Sequence, residues 1–329
     1  MSALVEASGL VVTYAVAAGS VQALDGVDLS VEAGETLAIV GESGSGKTTL
    51  GMALGRLLPS DARRVQGELR VAGVSVFDTD ATALRALRRR ALGFVFQNPM
   101  AALDPTMRIG RQVARALDGR PDPARIAALL GRAGLPEPAR VARSYPHELS
   151  GGMAQRVSIA MAIARNPALL VADEPTASLD ASVRERVMQT LMTLRAETGA
   201  SLIILSHDLR LVARHCERVA VMYGGRIVEL GRREDVFARP AHPYTSALLA
   251  AAAGNEGPEG VLLAIPGNPP TLYKRAEQCA FAPRCRFCRE RCRSERPERR
   301  QIGERDVLCH FAEEILADAA AAAMPVVSP

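Results

Sequence analysis

The 329-residue chain has no tryptophan, only seven phenylalanines and five tyrosines, and two lysines, Lys47 and Lys274, among 40 basic residues. No apolar run approaches the roughly 18 residues that a membrane-crossing helix needs. Met1 to Glu6 lack the basic start and apolar stretch of a secretory signal. The composition is not that of a disordered, collagenous or disulfide-dense secreted chain. These absences lead us to expect a soluble intracellular protein. A net charge of +4 is too small to argue for a nucleic-acid partner. What is present, 48% hydrophobic residues over this length, suffices for one large or two modest domains.

With arginine nearly everywhere, a retained lysine marks a place that needs a compact point charge rather than a guanidinium fork. Lys47 lies in such a place. Thr36 to Val40 is a short apolar run that reads as a buried strand, and Thr49 to Leu58 has helical apolar spacing. Between them stand Gly41, Glu42, Ser43, Gly44, Ser45, Gly46, Lys47 and Thr48, a G-x-x-x-x-G-K-T loop. The three glycines permit backbone angles that turn successive N–H groups inward, and the helix start adds partial positive charge. Lys47 would reach β- and γ-phosphates, and Thr48 would offer a hydroxyl to Mg²⁺. The bland alternative is a glycine-rich surface turn.

Ala168 to Asp173 reads as a second buried strand, ending in the adjacent carboxylates Asp173 and Glu174. Open parallel sheets bind ligands at the carboxyl ends of their strands, which suits Asp173 to hold Mg²⁺. Glu174 leaves in another direction and is able to act as a base toward water. A solvated Asp-Glu corner is the alternative. Gly93 to Gln97 brings a glutamine to a further strand end, able to bond water or a metal-bound oxygen. Ser201 to His207 brings a histidine able to bond a γ-phosphate or, as the bland alternative, merely structural or solvated. Ser150 precedes Gly151, Gly152 and a helical run, so it is a helix cap beside open N–H groups, or simply an ordinary capped helix.

In order and spacing these segments resemble the ATP-binding subunit of an ABC transporter. Gly41 to Thr48 matches the Walker A loop, Gln97 the Q-loop, and Leu149 to Met153 the signature motif. Leu169 to Asp173 matches Walker B, Glu174 the family's catalytic glutamate, Ser178 to Asp180 the D-loop and His207 the switch histidine. The resemblance implies that Glu174, His207 and Gln97 serve catalysis. It places Mg²⁺ on Thr48, Gln97 and Asp173. ATP would be held by Tyr14 beneath the adenine, by Gly41 to Thr49, and by Ser150, Gly151, Gly152 and Asp180. Met153 stands where many relatives have glutamine.

The implied fold is α/β, a RecA-like P-loop NTPase with an antiparallel β-subdomain and a helical subdomain at about 98–165. The expected domains are 1–240 for nucleotide binding, 241–312 for a small Cys-rich extension, and 313–329 for a tail, frayed from Ala319. Residues 254–270 read as a linker. Phe96 to Pro105, Ala172 to Asp180, His242 to Ala250 and Ile265 to Pro270 are similar to the importer branch handling dipeptides, oligopeptides and nickel.

Five of the six cysteines, Cys279, Cys285, Cys288, Cys292 and Cys309, fall in that extension. Zinc, disulfides and an iron–sulfur cluster all suit this density, though a reducing cytosol disfavours disulfides. In the branch the chain resembles, Cys279, Cys285, Cys292 and Cys309 match a pattern associated with a [4Fe-4S] cluster, while Cys288 departs from it and keeps zinc open. Cys216 reads as a buried apolar residue on a helix, and Arg88 to Arg90 as a solvated helix face. The resemblance implies an ATPase subunit at the cytoplasmic face of the cell membrane. It would pair head-to-tail with a paralogous subunit or a second copy, join two transmembrane permease subunits, and be served indirectly by an extracytoplasmic solute-binding protein, with no nucleic acid. Alternatives are an ABC ATPase outside transport, or a metal-cluster-regulated sensor or assembly factor. The stretch between loop and signature has no sustained heptads, unlike chromosome-organising relatives.

Overall fold

A computed structural model describes residues 3–17, 19–117, 122–177, 179–253, 265–270 and 276–318. The described residues form two compact units, one drawn from within 6–30, 36–69 and 206–318, the other from within 3–5, 31–35 and 70–205. Among the described residues no helix is long and apolar enough to cross a membrane.

In the first unit, strand β1 (Val5–Val16) lies between β2 (Gly19–Val31) and β4 (Ala62–Val71). Val27, Leu29 and Val31 of β2 are buried while Ser30 is exposed, the period of two expected of a half-buried strand. A second sheet holds β3 (Thr36–Val40), whose five residues are all buried, as its continuous apolar sequence requires. Parallel to it runs β9 (Arg218–Tyr223), with Val40 opposite Val221. Then come antiparallel β10 (Arg226–Arg232), β12 (Arg305–Val307) and β11 (Arg300–Ile302). Helix α1 (Lys47–Leu54) follows β3 through the glycine-rich loop.

In the second unit, β5 (Val74–Ser75) pairs with the end of β4. Helix α2 (Ala81–Arg90) is capped by Asp80, whose carboxylate accepts the N–H groups of Thr82 and Ala83 at 2.7 and 2.9 Å. Arg89 and Arg90 in its last turn are exposed, as the sequence suggested. Strands β6 (Leu92–Val95), β7 (Leu169–Asp173) and β8 (Ser201–Ser206) are parallel, with Val95 opposite Ala172 and Ala172 opposite Ile204. The expected helical stretch is occupied by α3 (Pro99–Ala102), α4 (Ile109–Ala116), α5 (Pro123–Arg132), α6 (Pro138–Arg143) and α7 (Gly151–Ile163), and α8 (Ala181–Thr198) links β7 to β8. On α5 the buried residues Ile126, Leu129 and Leu130 have the i, i+3, i+4 spacing of an inward face.

The expected boundary at 240/241 does not separate compact units. The described residues between 241 and 318 share a unit with the glycine-rich loop, and β12 extends the sheet by pairing with β10, Val307 opposite Glu229. Glu229 is fully buried and ties down the chain beyond that boundary. Its carboxylate accepts N–H groups from Ala241 at 2.9 Å and His242 at 3.0 Å, with Arg305 at 3.5 Å. Burial raises its pKa. Helix α9 (Leu209–His215) and α10 (Arg233–Ala238) precede the boundary, and α11 (Pro243–Ala252) and α12 (Glu290–Ser294) follow it. The expected tail boundary at 313 is also crossed, by α13 (Ala312–Ala317), whose Ala312 and Ile315 join Ala241, Val307 and Cys309 in one apolar cluster. The frayed tail expected from Ala319 lies outside the described residues.

Val307→Asp would set a second carboxylate opposite Glu229, and is expected to cost about 3–5 kcal/mol. Gln301→Asp, on the exposed side of the same hairpin, is expected to cost under about 0.5 kcal/mol. Urea unfolding of the full chain checks both; an unchanged main transition for Val307→Asp would show the hairpin to be a detachable appendage.

Candidate functional site

The glycine-rich loop has the backbone geometry its sequence demands. Gly41, Gly44 and Gly46 have φ of 155°, 78° and 105°. A Cβ on Gly41 would collide with the Met222 carbonyl of β9, and one on Gly46 would lie 2.5 Å from the Ala23 carbonyl. Glycine is therefore required there by close approach as well as by angle. Lys47 is buried, and its ammonium donates to the carbonyls of Gly41 at 2.8 Å and Glu42 at 3.0 Å. No side chain caps the start of α1. Ser45 Oγ is buried without a hydrogen-bond partner among the described residues, whereas Ser43, Gly44 and Thr48 are exposed. The Tyr14 hydroxyl donates to Thr49 Oγ1 at 3.4 Å, and burial raises its pKa. The structure thus brings Tyr14 to the same helix start as the loop.

Glu42 differs from its sequence reading. Its N–H donates to Tyr244 Oη at 2.8 Å, and its carbonyl accepts Lys47 and the Ser45 N–H. Its carboxylate is paired with Arg284 at 2.7 Å. Every polar group of Glu42 is thus committed within the protein. It belongs to the loop's scaffold and is not one of the N–H donors of the anion cradle. Arg284 and Tyr244 were missed by sequence reasoning, because nothing local marks either as a neighbour of a loop some 200 residues earlier; an acidic side chain inside a phosphate-type loop was the one available hint.

In the other unit, Asp173 ends β7 and is buried, while Glu174 is half-buried with φ of 44°. That left-handed turn, held by the Glu174 N–H donating to the Leu205 carbonyl at 2.9 Å, breaks the strand's alternation. Gln97 is exposed two residues beyond β6, the parallel neighbour of β7, so it and the carboxylates share one end of these strands. Ser150 caps α7, its Oγ accepting the Met153 N–H at 3.3 Å. A Cβ on Gly152 would lie 2.6 Å from Val183 Cγ1, so the Val183 side chain of α8 would have to shift to admit a larger residue. Gly151 and Asp180 are exposed, the latter at the start of α8, and Ser178 lies outside the described residues. His207, exposed and in the same unit as the glycine-rich loop, directly precedes Asp208, the cap of α9.

Cys279, Cys285, Cys292 and Cys309 line one pocket with Phe281, Phe287 and Phe311, while Cys288 is not among its walls. Burial pushes the Cys279 thiol up, Cys285 to about 11 and Cys309 to about 12, with the neighbouring thiols adding to the effect. All six cysteines are free, so the disulfide alternative is not realised. Among the described residues no three His, Cys, Asp or Glu side chains are gathered closely enough to hold an ion as they stand. The pocket is lined by these four soft thiols and the His242 and His310 rings, with no carboxylate, a lining that suits a soft metal. Cys216, directly after α9, is buried, which pushes its thiol up to about 12.

Comparison with known proteins agrees with this layout. Residues 24–177 match the family model described as ABC transporter, and residues 228–292 match that of the oligopeptide/dipeptide transporter C-terminal region. The chain is 40% identical over 300 residues to the oligopeptide transport ATP-binding protein OppD of Salmonella typhimurium, covering 89% of each. It is 41% identical over 306 residues to the OppD of Mycobacterium tuberculosis, covering 91% of this chain; it spans only half, 50%, of that relative's length. A solved dimeric structure of the ATP-binding cassette MJ0796 bound to ADP and Pi superposes with a TM-score of 0.62 at 31% identity, covering 70% of this chain and 98% of that one. Loop, strand ends, capped helix and both matched regions therefore agree: the chain belongs to the ABC transporter family.

Proposed function

We propose that the chain is an ATP-hydrolysing subunit of a peptide importer, acting in a head-to-tail pair at the cytoplasmic face of the membrane. The observation that carries this reading is the Gly41–Thr48 loop. It combines a lysine ammonium fixed by two carbonyls, a buried serine hydroxyl without a partner among the described residues, and a helix start with no side-chain cap. Phosphate oxygens satisfy the serine hydroxyl and the helix start, and the ammonium places positive charge beside them.

Lys47 and the loop N–H groups hold the β- and γ-phosphates, and the Tyr14 ring supports adenine. Glu174 accepts the proton of the attacking water, and His207 orients the γ-phosphate. Ser150, Gly151, Gly152 and Asp180 of the neighbouring subunit close over the same phosphates. Thr48, Gln97 and Asp173 are the residues that would hold Mg²⁺, which when bound neutralises charge on the phosphate oxygens. Two membrane permease subunits take up the motion near Gln97, and an extracytoplasmic binding protein delivers the peptide. The names of the relatives and the match to the transporter C-terminal region support cargo and partners.

For the cysteine pocket we propose a [4Fe-4S] cluster on Cys279, Cys285, Cys292 and Cys309, with zinc as the alternative. The shared pocket and the exclusion of Cys288 support this set. Such a cluster ties four chain segments together and adds a one-electron redox centre; zinc does only the first.

Glu174→Gln is expected to keep ATP binding, lower turnover by roughly 10²–10⁴-fold, and increase nucleotide-dependent pairing. Phosphate release and light scattering check these, and normal turnover would remove Glu174 from its role. Protein purified without oxygen is expected to hold about four irons and as many sulfides per chain. Elemental analysis showing zinc alone selects the alternative, and no metal removes both.

A further inference from the structure

Arg284 ends the short 3₁₀ turn Ala282–Arg284 and is followed at once by Cys285. Its guanidinium meets the Glu42 carboxylate as a fork, Nη1 donating to Oε2 at 2.7 Å and Nη2 to Oε1 at 3.0 Å. Its other N–H groups go to the Pro266 carbonyl at 2.7 Å, the Ile265 carbonyl at 3.2 Å and Tyr223 Oη at 3.3 Å. All five donors of the guanidinium thus have acceptors, and the side chain is only 5% exposed. A second hold on the same residue is the Glu42 N–H donating to Tyr244 Oη at 2.8 Å. The rings of Tyr223, Tyr244 and Phe281 pack together with centroids 4.5–5.4 Å apart.

The turn that presents Arg284 is built on the backbone of the cysteines. Cys279 N–H donates to the Cys292 carbonyl and Ala282 N–H to the Cys279 carbonyl, both at 3.0 Å; Cys285 N–H closes the turn on Ala282 at 3.3 Å. On the far side, the Glu42 carbonyl accepts Lys47 Nζ at 3.0 Å and the Ser45 N–H at 3.2 Å. A continuous run of directional bonds therefore leads from the Cys279–Cys292 backbone through Arg284 and Glu42 to the lysine ammonium. Buried ion pairs are seldom more stabilising than apolar packing of equal volume, so a fully satisfied fork fixes geometry more than it adds stability.

We propose that Arg284 is a positioning residue for nucleotide binding: it fixes Glu42, and through the Glu42 carbonyl it fixes Lys47, which makes the cysteine-bearing segment part of the scaffold of the phosphate loop. This inference rests on the ATP-binding reading above and names a residue outside the segments that touch nucleotide in it. Lysine at position 284 keeps the charge but offers no planar fork. Removing the guanidinium releases the Glu42 carboxylate while the Tyr244 hold on its N–H remains, and lets the ammonium shift from where phosphate would meet it, a loss in binding rather than in the chemical step.

The test is the Kd of the full chain for a fluorescent ATP analogue with Mg²⁺, together with KM and kcat for ATP, in wild type, Arg284→Ala, Arg284→Lys, Glu42→Gln and the Arg284→Ala/Glu42→Gln pair. Arg284→Ala is expected to weaken binding and raise KM about tenfold, with kcat at saturating ATP within about twofold of wild type. Arg284→Lys is expected to recover part of the loss. The double variant is expected to bind no more weakly than Arg284→Ala, because both changes remove one contact. If Arg284→Ala does not fold, Arg284→Lys and Glu42→Gln, both expected to weaken binding, decide. Variants that melt earlier but bind as wild type does, or losses that add in the double variant, overturn the inference alone. Wild-type protein that binds no nucleotide overturns the ATP reading and this inference together.

Discussion

A lysine side chain enclosed by its own loop is the constraint on which the rest depends. Removing an ammonium from water is costly unless its donors are met. Here two backbone carbonyls, Gly41 and Glu42, meet donors of Lys47 and fix where the ammonium stands within the loop. That arrangement requires the loop to fold tightly back on β3. It can do so only where glycine lets the chain pass beside the Met222 and Ala23 carbonyls. The fully buried β3 and its parallel partner β9 supply the rigid floor.

The same demand explains why the C-terminal residues are woven into the unit that carries the loop. A loop shaped by backbone alone would be free to breathe; this one is gripped from outside at Glu42 by side chains of α11 and of the turn before Cys285. Those grips hold only if their own elements are immobile. Glu229 anchors the chain leading to α11, and β12 completes the sheet beside it. Each step places a polar bond where an aliphatic core, poor in aromatics, could not define position by shape alone.

Local patterns made much of this legible. Thr36 to Val40 and Ser201 to Ser206 are strands as their apolar runs require, Ser150 caps a helix, and the three loop glycines take the conformations their spacing implied. Four of the five extension cysteines share a pocket. What sequence could not reveal were relations between distant residues. Arg284 lies 242 residues from Glu42, and an arginine among so many carries no signal of its own. Strands β11 and β12 have three residues each, too short for a period to register. The extension therefore read as an appendage, although its hairpin is the outer edge of the main sheet.

Glu174 shows how a strand rule and its local breach combine. Alternation along β7 would send residue 174 to the face opposite Asp173. The chain instead turns left-handed at Glu174, a conformation that costs a non-glycine residue about 1 kcal/mol. It persists because the Glu174 N–H is bonded to the Leu205 carbonyl on the neighbouring strand, and its carbonyl accepts the Ala177 N–H at 3.0 Å. The same left-handed conformation occurs at Arg56, Ala72, Glu137 and Asn166, so it sets the path of the chain at Glu174 rather than marking a base. The proposed base therefore rests on its place in the motif, at the carboxyl end of β7 among parallel strands.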